Sequence, residues 1–475
     1  MSKCAIALSY FLSDGYSESY VENKWMLSQL KLGIVAVSSG LITLVGIIDP
    51  GIAQADPSGF VTFANWCEHR EQLTPEARHT VSVLLQTVET EDCLWADVQL
   101  NRLQELVISR QQIKDIRPIT TLTNLRSLII ETLQTDDIST IGTLENLESL
   151  HIYGRQGRQI NTIQPIQSLV ALQSLRLDGL QIQDITPIAS LQYLQSLHLT
   201  GNRIENIEPL SSLTNLQVLS LSNNSIRDIS PLKDLTGLRH LSLDGNRIET
   251  IAALENLVNL ITLYLTIDTE DISALSNLTD LHTLYLNSLN WGYASNNDND
   301  RGNIKNLESL ASLINLHSLS IEYHRIDDLT PLSNLIQLQS LHLSRNKIKS
   351  IEPLRELVQL QRLELSDNHI QDIDALEAMV NIGVLHLSRN EIEEIDALSN
   401  MPKLHELWIG SNHIEDVSPL SELSNLSLLW LNNNQITNIE ALSELTNAIN
   451  IDLSGNPLLA PICPVQRESV CEFDR

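Results

Sequence analysis

From Leu103 onward one 22-residue phrase recurs in register. Residues 216–237, LQVLSLSNNSIRDISPLKDLTG, are a typical copy, and a near-copy starts at Leu238. Counting the first residue as zero, apolar side chains fall at 0, 3, 5, 10, 13, 16 and 19, here Leu216, Leu219, Leu221, Ile226, Ile229, Leu232 and Leu235, with Asn224 at 8. The frame starts at Leu103, Leu125, Leu147, Leu172, Leu194, Leu216, Leu238, Leu260, Leu281, Leu316, Leu338, Leu360, Ile382, Leu404 and Leu426, and a partial copy starts at Ala448, giving fifteen full repeats and a fragment. This period constrains the fold more than any composition does. One unit cannot bury its ring of leucines alone, but stacked units bury each other's rings in one continuous core.

The spacing also dictates the coil. Positions 3 and 5 share one side of an extended strand, so position 4 points the other way with 2 and 6. The asparagine at 8 ends the strand, where its amide can bond backbone groups of its own and neighbouring coils. Positions 10, 13, 16 and 19 recur every third residue, which suits 3₁₀ turns. Proline stands at position 15 in eight repeats, as in Pro187, Pro231 and Pro331, where its fixed φ starts a turn. Aspartates at 12, such as Asp184, Asp228, Asp328 and Asp416, read as turn caps on the outer side. The expected fold is an α/β repeat solenoid, a curved horseshoe with a parallel sheet on its concave side and 3₁₀ or irregular structure on its convex side.

The motif L-x-x-L-x-L-x-x-N-x-I, in register over about 103–458, resembles the leucine-rich-repeat signature. The 22-residue unit with D-I-x-P-L is similar to the class found in bacterial internalins and in the regulatory subunit of protein phosphatase 1. The resemblance implies a strand-lined concave face that binds other macromolecules. The cysteine pair in the N-terminal cap departs from internalins. Together with the flanking segments, it makes the chain similar to exported repeat proteins of cyanobacteria.

The flanks read as a targeting segment and two caps. Leu32–Ile48 is apolar, follows Lys24 and Lys31, and precedes Ala53-Gln54-Ala55, the pattern of a signal peptide cleaved after Ala55, with Met26 a possible true start. Residues 1–55 would then be the signal peptide, leaving no membrane insertion after cleavage and an exported product in the periplasm or outside the cell. Residues 56–102 form a cap, with a helix opened by Thr74-Pro75 whose Val81, Leu84, Leu85 and Val88 share one face. Cys67 and Cys93 flank that helix; Cys463 and Cys471 fall in the other cap, 459–475. Even pairing in an exported chain reads as two disulfides. A formal charge of -29 repels phosphate backbones, which excludes nucleic acid. Basic proteins, cations and neutral glycans remain as partners, and a monomer is expected.

No catalytic constellation is present: there is no H-E-x-x-H, phosphate loop or nucleophile elbow. No enzyme activity and no cofactor are therefore expected. Function has to sit where the chain departs from its own consensus. Position 4 reads His151, Arg176, His198, Ser220, Ser242, Tyr264, Tyr285, Ser320, His342, Glu364, His386, Trp408, Trp430 and Asp452 between Leu147 and the end of the array. These side chains face the concave wall and cannot belong to the core. Trp408 and Trp430, on adjacent coils, form the leading candidate patch for a protein ligand, with Arg362, Glu364 and Glu406 as its polar rim. Glycan binding, or a structural role in the cell envelope, is the alternative. The column histidines pair two coils apart, roughly 10 Å, too far for one ion, so no metal is expected there. The second departure is an insertion, 290–303, carrying Trp291 and Tyr293 as apolar anchors. Asn296, Asp298 and Asp300 alternate like calcium ligands, but Gly302 falls one place late and no glutamate closes the loop, so calcium at 296–302 is a weak expectation.

Overall fold

A computed structural model describes residues 59–154, 160, 162–288, 302–465 and 468–473. Residues 1–55, expected to be a signal peptide, together with Trp291, Tyr293 and all of the calcium-like stretch except Gly302, lie outside the described residues.

Among the described residues seventeen strands form a single sheet in which every pairing is parallel and each coil hydrogen-bonds to the next. Most strands are three residues long and occupy positions 2 to 4 of the repeat, as in Ser340–His342 and Glu406–Trp408. Some earlier strands are longer, His240–Ile248 reaching nine residues. Side chains alternate as the pleat requires: Leu407 is fully buried while Trp408 beside it is 38% exposed. The rings of leucine and isoleucine at 0, 3, 5, 10, 13, 16 and 19 make one core running from the N-terminal helices to Val470.

The convex side is built as the spacing requires. A 3₁₀ turn recurs at positions 14 to 16, for example Ser230–Leu232 with Pro231 inside it. The aspartate at 12 caps it: Asp228 Oδ1 accepts the backbone N–H of Ser230 at 2.8 Å, and Asp184, Asp328 and Asp416 do the same for Thr186, Thr330 and Ser418. Those hydroxyl and amide donors hold the four carboxyls below the usual carboxylate range.

The strand ends in a turn that needs a left-handed residue at position 7, filled by Gly245 (φ +68°) and, in other coils, by Asn223 and Asn433. The next residue, the asparagine at 8, then points inward. Asn412 Nδ2 donates to the carbonyls of Ile409 (3.0 Å) and, one coil back, Leu387 (3.1 Å), while its Oδ1 accepts the N–H of Ile392 at 3.1 Å. Asn202, Asn224, Asn246, Asn346, Asn368, Asn390, Asn434 and Asn456 repeat the pattern. Each amide satisfies groups that the turn would otherwise leave buried without partners.

Both ends of the stack are covered. The N-terminal cap has three helices, where one was expected: α1 (Phe63–Glu68), α2 (Pro75–Thr87) and α3 (Cys93–Leu100). The helix expected after Thr74-Pro75 is α2, with the Thr74 hydroxyl accepting from Ala77 N. Its Val81, Leu84 and Leu85 are buried, and Val88 is partly buried against the same core. Thr80, also buried, donates its hydroxyl to the carbonyl of Asp115 on the first coil at 2.7 Å. Cys67 and Cys93 are bonded, tying α1 to α3. At the other end Cys463 and Cys471 are bonded, and the tail does more than close a loop. Cys471–Glu472 adds the seventeenth strand, pairing with Ile451 and Asp452 and accepting the N–H of Leu453 at the Glu472 carbonyl. The last open edge is thereby occupied. Among the described residues no helix is long and apolar enough to cross a membrane.

Candidate functional site

Parallel register places position 4 of every coil in one column on the concave wall. His342, Glu364, His386, Trp408, Trp430 and Asp452 are consecutive partners in the strand ladder. Three aromatic rings of that column are in contact: His386 stacks on Trp408 at 4.4 Å and 22°, and Trp430 packs against Trp408 at 4.7 Å, tilted by 55°. Trp408 is exposed and Trp430 half-buried. The two tryptophans therefore lie on one wall and in mutual contact.

Below the rings runs a charged ladder. Glu364 Oε2 lies 3.2 Å from His342 Nδ1, and Glu364 Oε1 accepts from Arg362 at 3.0 Å and lies 3.8 Å from His386 Nδ1. His386 Nε2 donates to Glu406 Oε1 at 3.1 Å. Burial opposes ionisation of Glu364, but His342, His386 and Arg362 outweigh it and lower its pKa to about 2. The expected rim residues Arg362, Glu364 and Glu406 thus form one network, and they position the imidazole on which Trp408 stacks. Asp452, beyond Trp430, turns its carboxylate into its own coil, accepting the N–H and hydroxyl of Ser454.

The rest of the column divides into two groups. Tyr264 and Tyr285 stack at 4.8 Å and 26°, and burial raises the Tyr264 phenol. His151 and His198 lie two coils apart with Arg176 between them in the ladder. Burial first, and the Arg176 charge second, push both imidazoles below the ordinary histidine range. Arg176 itself pairs with Asp178 and lies over the Tyr153 ring. One column member departs from expectation. Ser320 is only 2% exposed; its neighbours His342 and Tyr285 are larger and its hydroxyl bonds Asn287 Oδ1. Facing the concave wall does not guarantee exposure when a small side chain stands between large ones.

The comparisons with known proteins agree with this geometry. A family model described as "Leucine Rich repeats (2 copies)" matches residues 192–234, 214–256, 336–378 and 381–422. An internalin of Listeria monocytogenes superposes with a TM-score of 0.60 at 27% identity, covering 78% of this chain and 98% of that one. The fold is a leucine-rich-repeat solenoid. A leucine-rich-repeat protein of Leptospira interrogans matches with a TM-score of 0.66 at 22% identity over 80% of this chain and 97% of its own. The ectodomain of a plant membrane receptor kinase from Arabidopsis thaliana, solved in complex with Casparian strip integrity factor 2, matches at 0.61 and 22% identity over 76% of this chain and 48% of that one. Among curated proteins, none matches the sequence.

One residue of the solenoid that the sequence reading passed over is His324, which takes position 8 of the coil at Leu316, where most coils carry asparagine. It is fully buried. Its Nε2 donates to the Leu286 carbonyl at 3.1 Å and its Nδ1 accepts the Ile304 N–H at 3.3 Å, an imidazole version of the asparagine bridge. Burial lowers its pKa to about 4. The ring needs room. A Cβ on Gly302 would come within 2.3 Å of His324 Nδ1, so the glycine noted as a misplaced calcium-loop residue is the space that admits the imidazole.

Proposed function

We propose that this chain is an exported binding protein that recognises a protein partner on its concave face through the Trp408–Trp430 patch and performs no chemistry of its own. The observation that carries this reading is the stack His386–Trp408–Trp430, aromatic surface held rigidly on an otherwise polar wall. Trp408 remains more than a third exposed although rings flank it on both sides. Aromatic side chains so placed lose little rotamer freedom on binding and form hot spots. Glu364, Glu406 and Asp452 around them favour a partner that presents basic and apolar side chains.

Two disulfides and the solenoid fold support export, and the plant receptor ectodomain, solved in complex with its factor, is the precedent of a leucine-rich-repeat chain with a bound partner. Glycan binding is the weaker reading on one physical ground. Sugars stack on open ring faces, whereas His386 covers one face of Trp408 at 4.4 Å and 22°, and Tyr264 and Tyr285 cover one another at 4.8 Å and 26°.

The test is affinity capture with the full chain and with the Trp408→Ala, Trp430→Ala double variant. The partner retained by the wild type should be lost from the variant, with far-ultraviolet circular dichroism unchanged. Equal retention by both proteins would remove the patch from consideration.

A further inference from the structure

Among the described residues one group of three side chains brings imidazole and carboxylate ligand atoms together: Glu322, His342 and Glu364, whose donor atoms all lie within 4.8 Å of one another. Neighbouring position-4 histidines are too far apart to share an ion, because two coils separate His342 from His386. The intervening coil changes that geometry. It supplies Glu364, whose Oε2 is 3.2 Å from His342 Nδ1, and Glu322 at position 6 of the preceding coil reaches the same point.

We propose that Glu322, His342 and Glu364 form a binding site for a divalent transition-metal ion of the zinc type on the concave wall. Three features carry the assignment. First, bonds of about 2.0–2.2 Å in a tetrahedral site separate ligand atoms by about 3.3 Å, and the His342–Glu364 separation of 3.2 Å is already close to that. Second, the other ring nitrogen is held in place. His342 Nε2 lies 2.7 Å from the Ser340 hydroxyl. That hydroxyl donates when a proton occupies Nδ1 and accepts when a metal does, so it orients the ring in either state, as the outer partners of metal-bound histidines do. Third, the donor set selects the class of ion. One imidazole and two carboxylates suit zinc and its neighbours in the Irving–Williams series, and they do not provide the six to eight oxygens that calcium takes.

Binding shifts one proton within the ring. The metal takes His342 Nδ1, the proton that faced Glu364 Oε2 is carried on Nε2 instead, where the Ser340 hydroxyl accepts it, and Arg362 and His386 continue to face Glu364 Oε1. Three protein ligands leave a tetrahedral ion one further position for water or a donor from a bound partner. Glu364 is shared with the network that positions His386, but neither tryptophan supplies a ligand, and His342 lies three coils from Trp408 on the same wall.

The test is isothermal titration of the full, disulfide-bonded chain with zinc chloride at neutral pH in millimolar calcium. We expect one saturable equivalent with a Kd of about 1 μM or tighter. His342→Ala and Glu364→Gln should each weaken it by about tenfold or more, while Trp408→Ala leaves it unchanged. Cobalt(II) titration supplies a second readout: visible absorption of a four-coordinate ion, present in the wild type and absent from His342→Ala, with circular dichroism confirming that the variant is folded. Absence of saturable zinc binding, or an equivalent that persists in His342→Ala, would overturn the proposal.

Discussion

His324 Nδ1 accepts the backbone N–H of Ile304 while the opposite nitrogen of the same ring donates to the carbonyl of Leu286. Only the neutral Nε2-protonated imidazole can do both. A second proton on Nδ1 would face the Ile304 N–H, a donor against a donor, inside a core from which water is excluded. Asn346 in the next coil, and the asparagines of other coils, make the same bridge with a group that does not titrate. His324 is therefore a pH-sensitive joint of the stack, next to the point where the insertion returns to the frame.

Acid should weaken that joint. His324 has a pKa of about 4 in the fold, against 6.5 as its ordinary value. Between those values the unfolded chain binds the extra proton and the folded one does not, so stability falls as pH falls. The contribution is fully present above about pH 6.5 and decreases to a loss of roughly 3 kcal/mol near pH 4. We expect His324→Asn, which restores the non-titrating bridge, to flatten the pH dependence of the urea midpoint between pH 7 and 4.5. Some acid sensitivity should persist in the variant, because burial also lowers His151, His198 and His240. Parallel pH profiles for wild type and variant would show that His324 carries none of the effect.

Gly302 should be coupled to the same ring. A methyl group there would meet His324 Nδ1 at 2.3 Å, Cε1 at 2.4 Å and Ser288 Cβ at 3.0 Å. Overpacking of this kind costs about 1–3 kcal/mol. Gly302→Ala should lower the denaturation midpoint accordingly. The cost should shrink in the background of His324→Asn, whose amide is smaller than the imidazole. A double-mutant cycle reads the coupling directly, and an additive result would mean that the clash is relieved elsewhere.

How much of this was legible in the sequence depends on which physical constraint governs each residue. Leu219 and Leu221 announce the buried side of a strand because a period of two cannot be disguised, and Trp408 and Trp430 follow from register once the frame is set. The capping role of Asp228 was equally readable, since an aspartate two residues before Ser230 closes a local turn. The Glu364 network was not. It depends on side-chain lengths reaching between coils, and the spacing of Cα positions gave only the 10 Å that separates His342 from His386. Nor was the tail strand at Cys471, because a two-residue strand has no periodicity to detect. His324 stood in plain view at position 8, and reading that column as closely as position 4 would have found it.

The same tail strand yields the last expectation. Cys471 sits between the bond to Cys463 and the backbone pairing with Ile451, so the disulfide holds a short strand on an edge that it could not keep alone. Closing so small a loop contributes about 2–3 kcal/mol by the chain-entropy argument. Cys463→Ser with Cys471→Ser should release Cys471–Glu472, free the N–H of Leu453, and expose the edge of the final coil. Hydrogen exchange should then speed up for the amides of Leu431 and Leu453 while the central coils, which exchange through opening of the stack, keep their protection. An unpaired edge is also a template for another chain, so the variant should associate with increasing concentration in sedimentation experiments where the wild type does not. Unchanged exchange at Leu453 in the double variant would show that the strand pairs without its covalent tether.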